Sequence, residues 1–205
     1  MKMLDVFCGM GGVSDGFALE GFDVTGIDIE DAPVKLGYKH RFIQADIMTL
    51  KGEDFRGYDV IWGSPPCRDF SQMGITNGHL WKRKPDPEFG LLAVNAFLQF
   101  VKDAQPKYWI MENIARAKLF IPLKPVCITN FNKGKKHALW GNFPIFLIPK
   151  TNEVFYANKT KSGKTYSKYR SDHKLRSWKI SKLPIVCTSA FAVACREALE
   201  VSVCV

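Results

Sequence analysis

Short apolar runs recur along the chain, most of them closed by a glycine, a proline or an acidic residue, and other stretches carry helical spacing instead. Leu4-Asp5-Val6-Phe7 predicts a first strand ending at Cys8-Gly9-Met10-Gly11-Gly12, and Val13 to Glu20 predicts the helix after it. Phe22 to Ile27 predicts a second strand tipped by Asp28, and Arg41 to Ile47 a third carrying Asp46 near its end. Tyr58 to Trp62 predicts a short buried fourth strand, which Gly63-Ser64-Pro65-Pro66 must break and continue as a rigid loop. Leu91, Leu92, Val94, Phe97, Leu98 and Val101 share one helical face, and Pro106 stops that helix. Lys107 to Met111 predicts a fifth strand running into Glu112-Asn113-Ile114, Ile145 to Ile148 a further strand, and Val186 to Val201 a closing helix on the sheet. Strands alternating with helices point to an α/β fold with a doubly wound, mostly parallel sheet.

Several residues with chemistry fall where such sheets place their ligands, at the carboxyl ends of strands. Cys67 follows the fourth strand on the proline-stiffened loop, whereas a cysteine serving only as packing more often sits inside an apolar run. Asp28, about 20 residues past the glycine turn, suits a ribose hydroxyl pair; its plain alternative is an ordinary strand-end acid. Asp46 sits in an Ala-Asp-Ile triplet that by itself reads as a helix cap. Glu112 at a strand end is by itself commonly solvent-exposed, but one helix and two strand ends separate it from Cys67, so the two can reach one pocket.

Composition narrows the partners. The chain has 205 residues, 46% of them hydrophobic, enough for one domain with a proper core. No apolar run approaches the ~20 residues of a bilayer span, and the start enters a strand pattern directly, so a cytoplasmic protein is expected. Of the net charge of +9, Lys150 to Lys182 carries +8, from eight lysines and two arginines against Glu153 and Asp172. Nucleic acid and a merely solvated basic surface explain such a stretch equally well on charge alone. Met73 to Phe89, with Lys82, Arg83 and Lys84 beside Trp81, is too long for a simple connection and suits a loop closing over a nucleic-acid backbone. Cys8, Cys67, Cys127, Cys187, Cys195 and Cys204 show no zinc spacing, so reduced thiols and no metal are expected.

Pro66-Cys67 followed by Phe70-Ser71 resembles the nucleophile loop of the cytosine-5 DNA methyltransferases. Phe7-Cys8-Gly9-Met10-Gly11-Gly12 resembles that family's Phe-x-Gly-x-Gly-Gly turn, and Glu112-Asn113-Ile114 its Glu-Asn-Val triplet. The resemblance covers Asp5 to Ile114 well, Lys133 to Pro149 loosely and the end faintly; Leu139-Trp140-Gly141-Asn142 looks like compact phage and archaeal members. It implies a Rossmann-like S-adenosylmethionine-dependent methyltransferase fold with a very small basic target-recognition region. The implied divisions are a catalytic, cofactor-binding part over 1–149, a recognition segment over 150–182, and a helix over 183–205 packing back.

By the same resemblance, Phe7, Gly9, Met10, Gly11, Gly12 and Pro66 hold S-adenosylmethionine, Asp28 takes its ribose, Ile29 and Ile47 flank its adenine, and Asp46 accepts from the adenine amino group. Cys67 and Glu112 are the implied catalytic pair, and Ser71 and Asn113 the implied substrate contacts. The family's Gln-x-Arg-x-Arg pattern is missing, which leaves Lys136 and His137 as candidates for the arginine at the cytosine carbonyl. Ser181-Lys182 stands where the family has a Gly-Asn pair against the cofactor.

Carbon 5 of cytosine cannot by itself take a methyl group from a sulfonium. A Cys67 thiolate adding to carbon 6 makes it reactive, and Glu112, held neutral in a closed pocket with a raised pKa, protonates nitrogen 3. The base must first be flipped from the duplex. The implied partner is double-stranded DNA, methylated by a monomer in a prokaryotic or phage-infected cytoplasm. A tRNA cytosine-5 methyltransferase of the same fold, or a decayed protein that only binds DNA or cofactor, are the alternatives.

Overall fold

The computed structural model describes residues 1–31, 34, 37–71, 84–132, 135–145 and 183–203. The elements are β1 (Lys2–Val6), α1 (Gly12–Leu19), β2 (Asp23–Asp28), β3 (Arg41–Gln44), β4 (Val60–Gly63), α2 (Pro87–Ala104), β5 (Tyr108–Ile114), β6 (Cys127–Asn132), β7 (Lys135–Asn142) and α3 (Ile185–Val203). The strands form a seven-stranded sheet in the order β3-β2-β1-β4-β5-β7-β6. β1 to β5 pair in parallel, and β7 runs antiparallel to both β5 and β6. The doubly wound α/β expectation therefore holds.

Alternation along the strands sorts the core into two layers. Leu4, Val6, Ile61 and Met111 face α2, where they meet Val94, Phe97 and Phe100. Met3, Val60, Trp62 and Ile110 face the other way, towards Phe17 of α1 and Phe191 of α3. Trp62 is fully buried there and meets both phenylalanines edge-on, with centroids 6.4 and 5.0 Å away. Both faces being covered explains why β4 and the first half of β5 read as unbroken apolar runs.

The closing helix is tied to the first one by polar contacts as well. Thr188 Oγ1 donates to the carbonyl of Gly12 at 2.9 Å, and Ser189 and Arg196 hold the Glu20 carboxylate at the other end of α1. Gly16 is required there, since a Cβ would run into Thr188. α3 is thus docked on α1.

Four expectations need correction. α2 starts at Pro87, not Leu91, because Asp86 caps it, accepting from Glu88 N and Phe89 N, with Pro87 at the first helical position; Phe89 therefore belongs to the helix. Glu112-Asn113-Ile114 lies inside β5, since β7 pairs with all three residues. The third strand stops at Gln44, where Asp46 opens a 3-10 turn. β6 was not anticipated, and Ile145 stands beyond β7, 98% exposed and outside any strand. Residues 146–148 of that expected strand, residues 73–83 of the expected loop 73–89 and the basic stretch 150–182 lie outside the described residues.

Phe191 plugs the layer between Trp62 and Phe131. Phe191→Ala should lower the free energy of unfolding by about 3–5 kcal/mol in urea titrations, the cost of a large cavity in a close-packed layer. A loss below about 1 kcal/mol would mean that α3 is not part of the cooperative core.

Candidate active site

The chain leaves β1 through a backbone that needs unusual dihedrals. Phe7 sits at φ 62°, Gly9 at 48° and Gly11 at 72°, so the turn coils tightly before α1 begins at Gly12. Glycine at position 11 is doubly required, because a Cβ there would lie 3.0 Å from the Tyr38 ring. The turn is stitched to the tip of β2: Cys8 N donates to the Ile27 carbonyl and Gly9 N to Asp28 Oδ2, both at 3.0 Å.

Beneath the turn lies a buried polar floor that the sequence reading missed. Asp5, on β1, is almost fully buried and accepts from both the backbone N–H and the hydroxyl of Ser14 at the start of α1. Ser14 Oγ shares a further hydrogen bond of 2.7 Å with the Tyr38 hydroxyl. Burial pushes the Asp5 carboxyl up to about 7, with the Ser14 bonds pulling the other way. Burial, and then the nearness of Asp5, also raises the Cys8 thiol and the Tyr38 hydroxyl, so both stay protonated. The signal for this floor was an acidic residue in the middle of an apolar run.

The two strand-end acids are held differently. Asp28 accepts from Gly9 N with one oxygen and from Glu30 N, at 3.0 Å, with the other; burial nevertheless raises its pKa. Asp46 caps the turn Ile47–Thr49 by accepting from Met48 N at 3.0 Å, so the helix-cap alternative is realised. The same residue also faces the cavity described below.

Beyond β4, Ser64 N donates to the Val6 carbonyl and Ser64 Oγ accepts from the Trp62 indole, which aligns the proline pair with the end of β1. Cys67 then opens the 3-10 turn Arg68–Phe70 and is half-buried. Two ties hold this loop from either side. Asn113 Nδ2 donates to the Pro65 carbonyl at 2.9 Å, and Asp69 Oδ1 accepts from Asp86 N at 3.1 Å at the head of α2. Glu112, 8% exposed on β5, is met by His137 of β7, 2% exposed: His137 Nδ1 and Glu112 Oε1 lie 2.6 Å apart. These two are diagonal neighbours across the antiparallel pair, Glu112 standing opposite Leu139 and His137 opposite Ile114.

All these parts line one cavity of about 500 Å³. Its walls include Phe7, Gly9, Met10, Gly12, Asp28, Ile29, Asp46, Ile47, Pro66, Cys67, Glu112 and His137, every one of them a residue the sequence singled out. Ile29 stands exposed at the rim, and Ile47 is buried. Four expected site residues are not on the wall. Gly11 shapes the turn from behind, Asn113 clamps the Pro65 carbonyl, Lys136 is exposed, and Ser71 follows the 3-10 turn away from the cavity. Of the two candidates for the missing arginine, only His137 is there. Leu183, just before α3, also reaches the wall and was not anticipated. Among the described residues no three metal-ligating side chains stand together, and no helix is long and apolar enough to cross a membrane.

A mostly parallel sheet of this order with a reversed seventh strand, and a cavity at the tips of its central strands, defines the Rossmann-like methyltransferase class. Within that class the chain belongs to the C-5 cytosine-specific DNA methylase family, whose model matches residues 1–119. It is 30% identical over 118 residues to the type II methyltransferase M.FnuDI of Fusobacterium nucleatum, a match covering 56% of this chain and 32% of that protein. It is 35% identical over 130 residues to the type II methyltransferase M.HgiGI of Herpetosiphon aurantiacus, covering 58% of this chain and 94% of that protein. The match to M.FnuDI, like that to M.NgoPII of Neisseria gonorrhoeae, spans only about a third of the relative's length. Among solved structures, a prophage-encoded putative DNA modification methyltransferase of E. coli superposes with a TM-score of 0.50 at 21% identity, over 69% of this chain and 46% of that one. The Entamoeba histolytica methyltransferase EhMeth gives 0.50 at 14%, over 78% and 61%. Both likenesses are of fold.

The buried acid under the turn gives a pH dependence whose sign can be worked out. Its pKa is about 7 in the folded chain against 3.8 when free, so the folded state holds a proton that the unfolded state has released. Stability from this group is full below pH 3.8 and is lost as the pH rises to 7. Asp5→Asn, which stays neutral, should therefore gain in urea midpoint relative to the native chain between pH 5 and pH 8. A difference that does not change with pH would show that Asp5 is already ionised in the folded protein.

Proposed function

We propose that this chain methylates carbon 5 of cytosine in duplex DNA, with S-adenosylmethionine as methyl donor. The observation that carries the reading is the convergence of Cys67 and Glu112 on one cavity that also reaches the glycine turn, in a chain of this family. The fit of the cofactor rests on the same wall. Backbone without side chains at Gly9 and Gly12 permits close approach, Asp28 and Asp46 offer carboxylate lone pairs, and Ile29 and Ile47 offer apolar faces for a ring. When bound there, the cofactor supplies an electrophilic methyl group for the activated carbon 5.

The chain's own residues do the remaining work. Cys67 adds as thiolate to carbon 6 of a flipped cytosine and forms a C–S bond, while nitrogen 3 takes a proton from Glu112. Loss of the carbon 5 proton after methylation lets the C–S bond break and returns the thiolate. Asn113 and Asp69 keep the Cys67 loop in place from β5 and α2, so the nucleophile is presented by a rigid support. The basic stretch 150–182, with Tyr166, Tyr169 and Trp178, is the proposed target-recognition segment, and its positive charge suits the phosphate backbone. The setting we propose is a monomer in a bacterial or phage-infected cell, as the bacterial sources of the relatives suggest.

Labelled methyl transfer to duplex DNA, with bisulfite mapping of the product, tests the reading directly. Cys67→Ala should abolish transfer while leaving S-adenosylmethionine affinity within about twofold, because the thiol serves the base and not the cofactor. Glu112→Gln should lower kcat by about 10²–10⁴-fold. Transfer to tRNA in place of DNA would move the substrate to RNA, and turnover retained by Cys67→Ala would end the covalent mechanism.

A further inference from the structure

The missing arginine pattern leaves its place beside the cytosine to Lys136 or His137. The geometry supplies an occupant: His137 Nδ1 lies 2.6 Å from Glu112 Oε1, both side chains are buried, and the pair sits on the wall shared with Cys67. His137 packs edge-on against Phe131, with centroids 5.1 Å apart, which fixes the ring plane. Its other nitrogen, Nε2, is sealed from solvent and has no hydrogen-bond partner among the described residues. A donor for the base carbonyl would need an accessible Nε2–H. A sealed ring whose one hydrogen bond among the described residues goes to the carboxyl acts through it instead.

The tautomer follows from the same facts. A buried N–H without an acceptor is rarer than a buried lone pair without a donor, so the proton of the neutral ring belongs on Nδ1, and Nε2 carries the lone pair. Nδ1–H then donates to Glu112 Oε1. When the carboxyl takes up its own proton, Oε1 is engaged as acceptor, and the proton goes to Oε2.

We propose that His137 is a positioning residue: by donating from Nδ1 to Glu112 Oε1 it locks the carboxyl rotamer and directs the acid proton to Oε2, the oxygen that serves nitrogen 3 of the cytosine. This rests on the proposed role of Glu112 as the acid. No net proton is gained or lost by the imidazole in the cycle; nitrogen 3 returns its proton to Oε2 of Glu112 as the C–S bond breaks. The other titratable groups on the same wall are Cys67 and Arg68 on the loop after β4, the Cys8 thiol, and the acids Asp5, Asp28, Glu30 and Asp46 around the glycine turn.

Three variants of the full chain test it: His137→Phe, which keeps a ring but no donor; His137→Asn, whose side-chain N–H can stand where Nδ1–H stands; and Glu112→Gln as reference. The phenylalanine variant should lose about 10²-fold in kcat, as a misplaced acid would, with KM for DNA and S-adenosylmethionine binding within about twofold of the native chain. Its alkaline limb should also move to higher pH, because a buried carboxylate that loses one hydrogen-bond donor holds its proton more tightly. The asparagine variant should keep kcat within about tenfold and leave the limb in place. Equal losses in both variants, with the limb unmoved, would reduce His137 to a packing residue and overturn the proposal, as would native kcat in His137→Phe. Should the phenylalanine variant not fold, a folded asparagine variant with a loss of 10²-fold would overturn it equally. If Glu112→Gln keeps native activity, the failure lies instead in the acid role of Glu112.

Discussion

Everything at this site depends on β1 having parallel neighbours on both sides. β2 pairs with one edge and β4 with the other, so the chain leaving β1 turns onto one face of the sheet, and the chain leaving β4 departs towards the other. Among the described residues no connection covers the gap between them. The cavity opens there, and the glycine turn and the Cys67 loop become its two lips by connectivity alone. A ligand bound to one is within reach of the other without any loop having to be long.

The reversed strand adds what the parallel part cannot. Parallel strands place chemistry only at their ends, but β7 runs back alongside β5 and puts His137 beside Glu112 at mid-strand, where both are held by a hydrogen-bonded ladder. The carboxyl thereby gains a partner from outside its own strand. Asn113, one residue on, points to the opposite side of the strand and clamps the Pro65 carbonyl, so adjacent positions of one strand serve the Glu112–His137 pair and the Cys67 loop separately. The buried floor under the glycine turn works similarly for the other lip: Asp5 fixes the first turn of α1 through Ser14, and α3 seals its back through Thr188.

Much of this was legible in the sequence for a simple reason. In a sheet covered on both faces, central strands are mostly apolar, so a polar or reactive residue at the end of an apolar run marks a strand tip. Cys67, Asp28 and the glycine turn follow that rule, and all of them line the cavity. The errors have equally specific causes. Asp86 before Pro87 outranked the apolar periodicity in setting the start of α2. β7 extended β5 past the point where its apolar run ended, and the pairing strand β6 shows too little alternation to stand out, its polar Asn130 and Asn132 offsetting Ile128 and Phe131.

The sequence by itself determined the fold class, the order of the chemical groups along the chain and the strand ends that carry them, because local periodicity and turn chemistry are properties of neighbouring residues. The tertiary structure decided which groups meet. Only cross-strand register could choose His137 over Lys136, turn Asn113 into a clamp for the loop, and bury Asp5 beneath the glycine turn. Those outcomes depend on contacts between residues far apart in sequence, and no pattern along a single strand contains them.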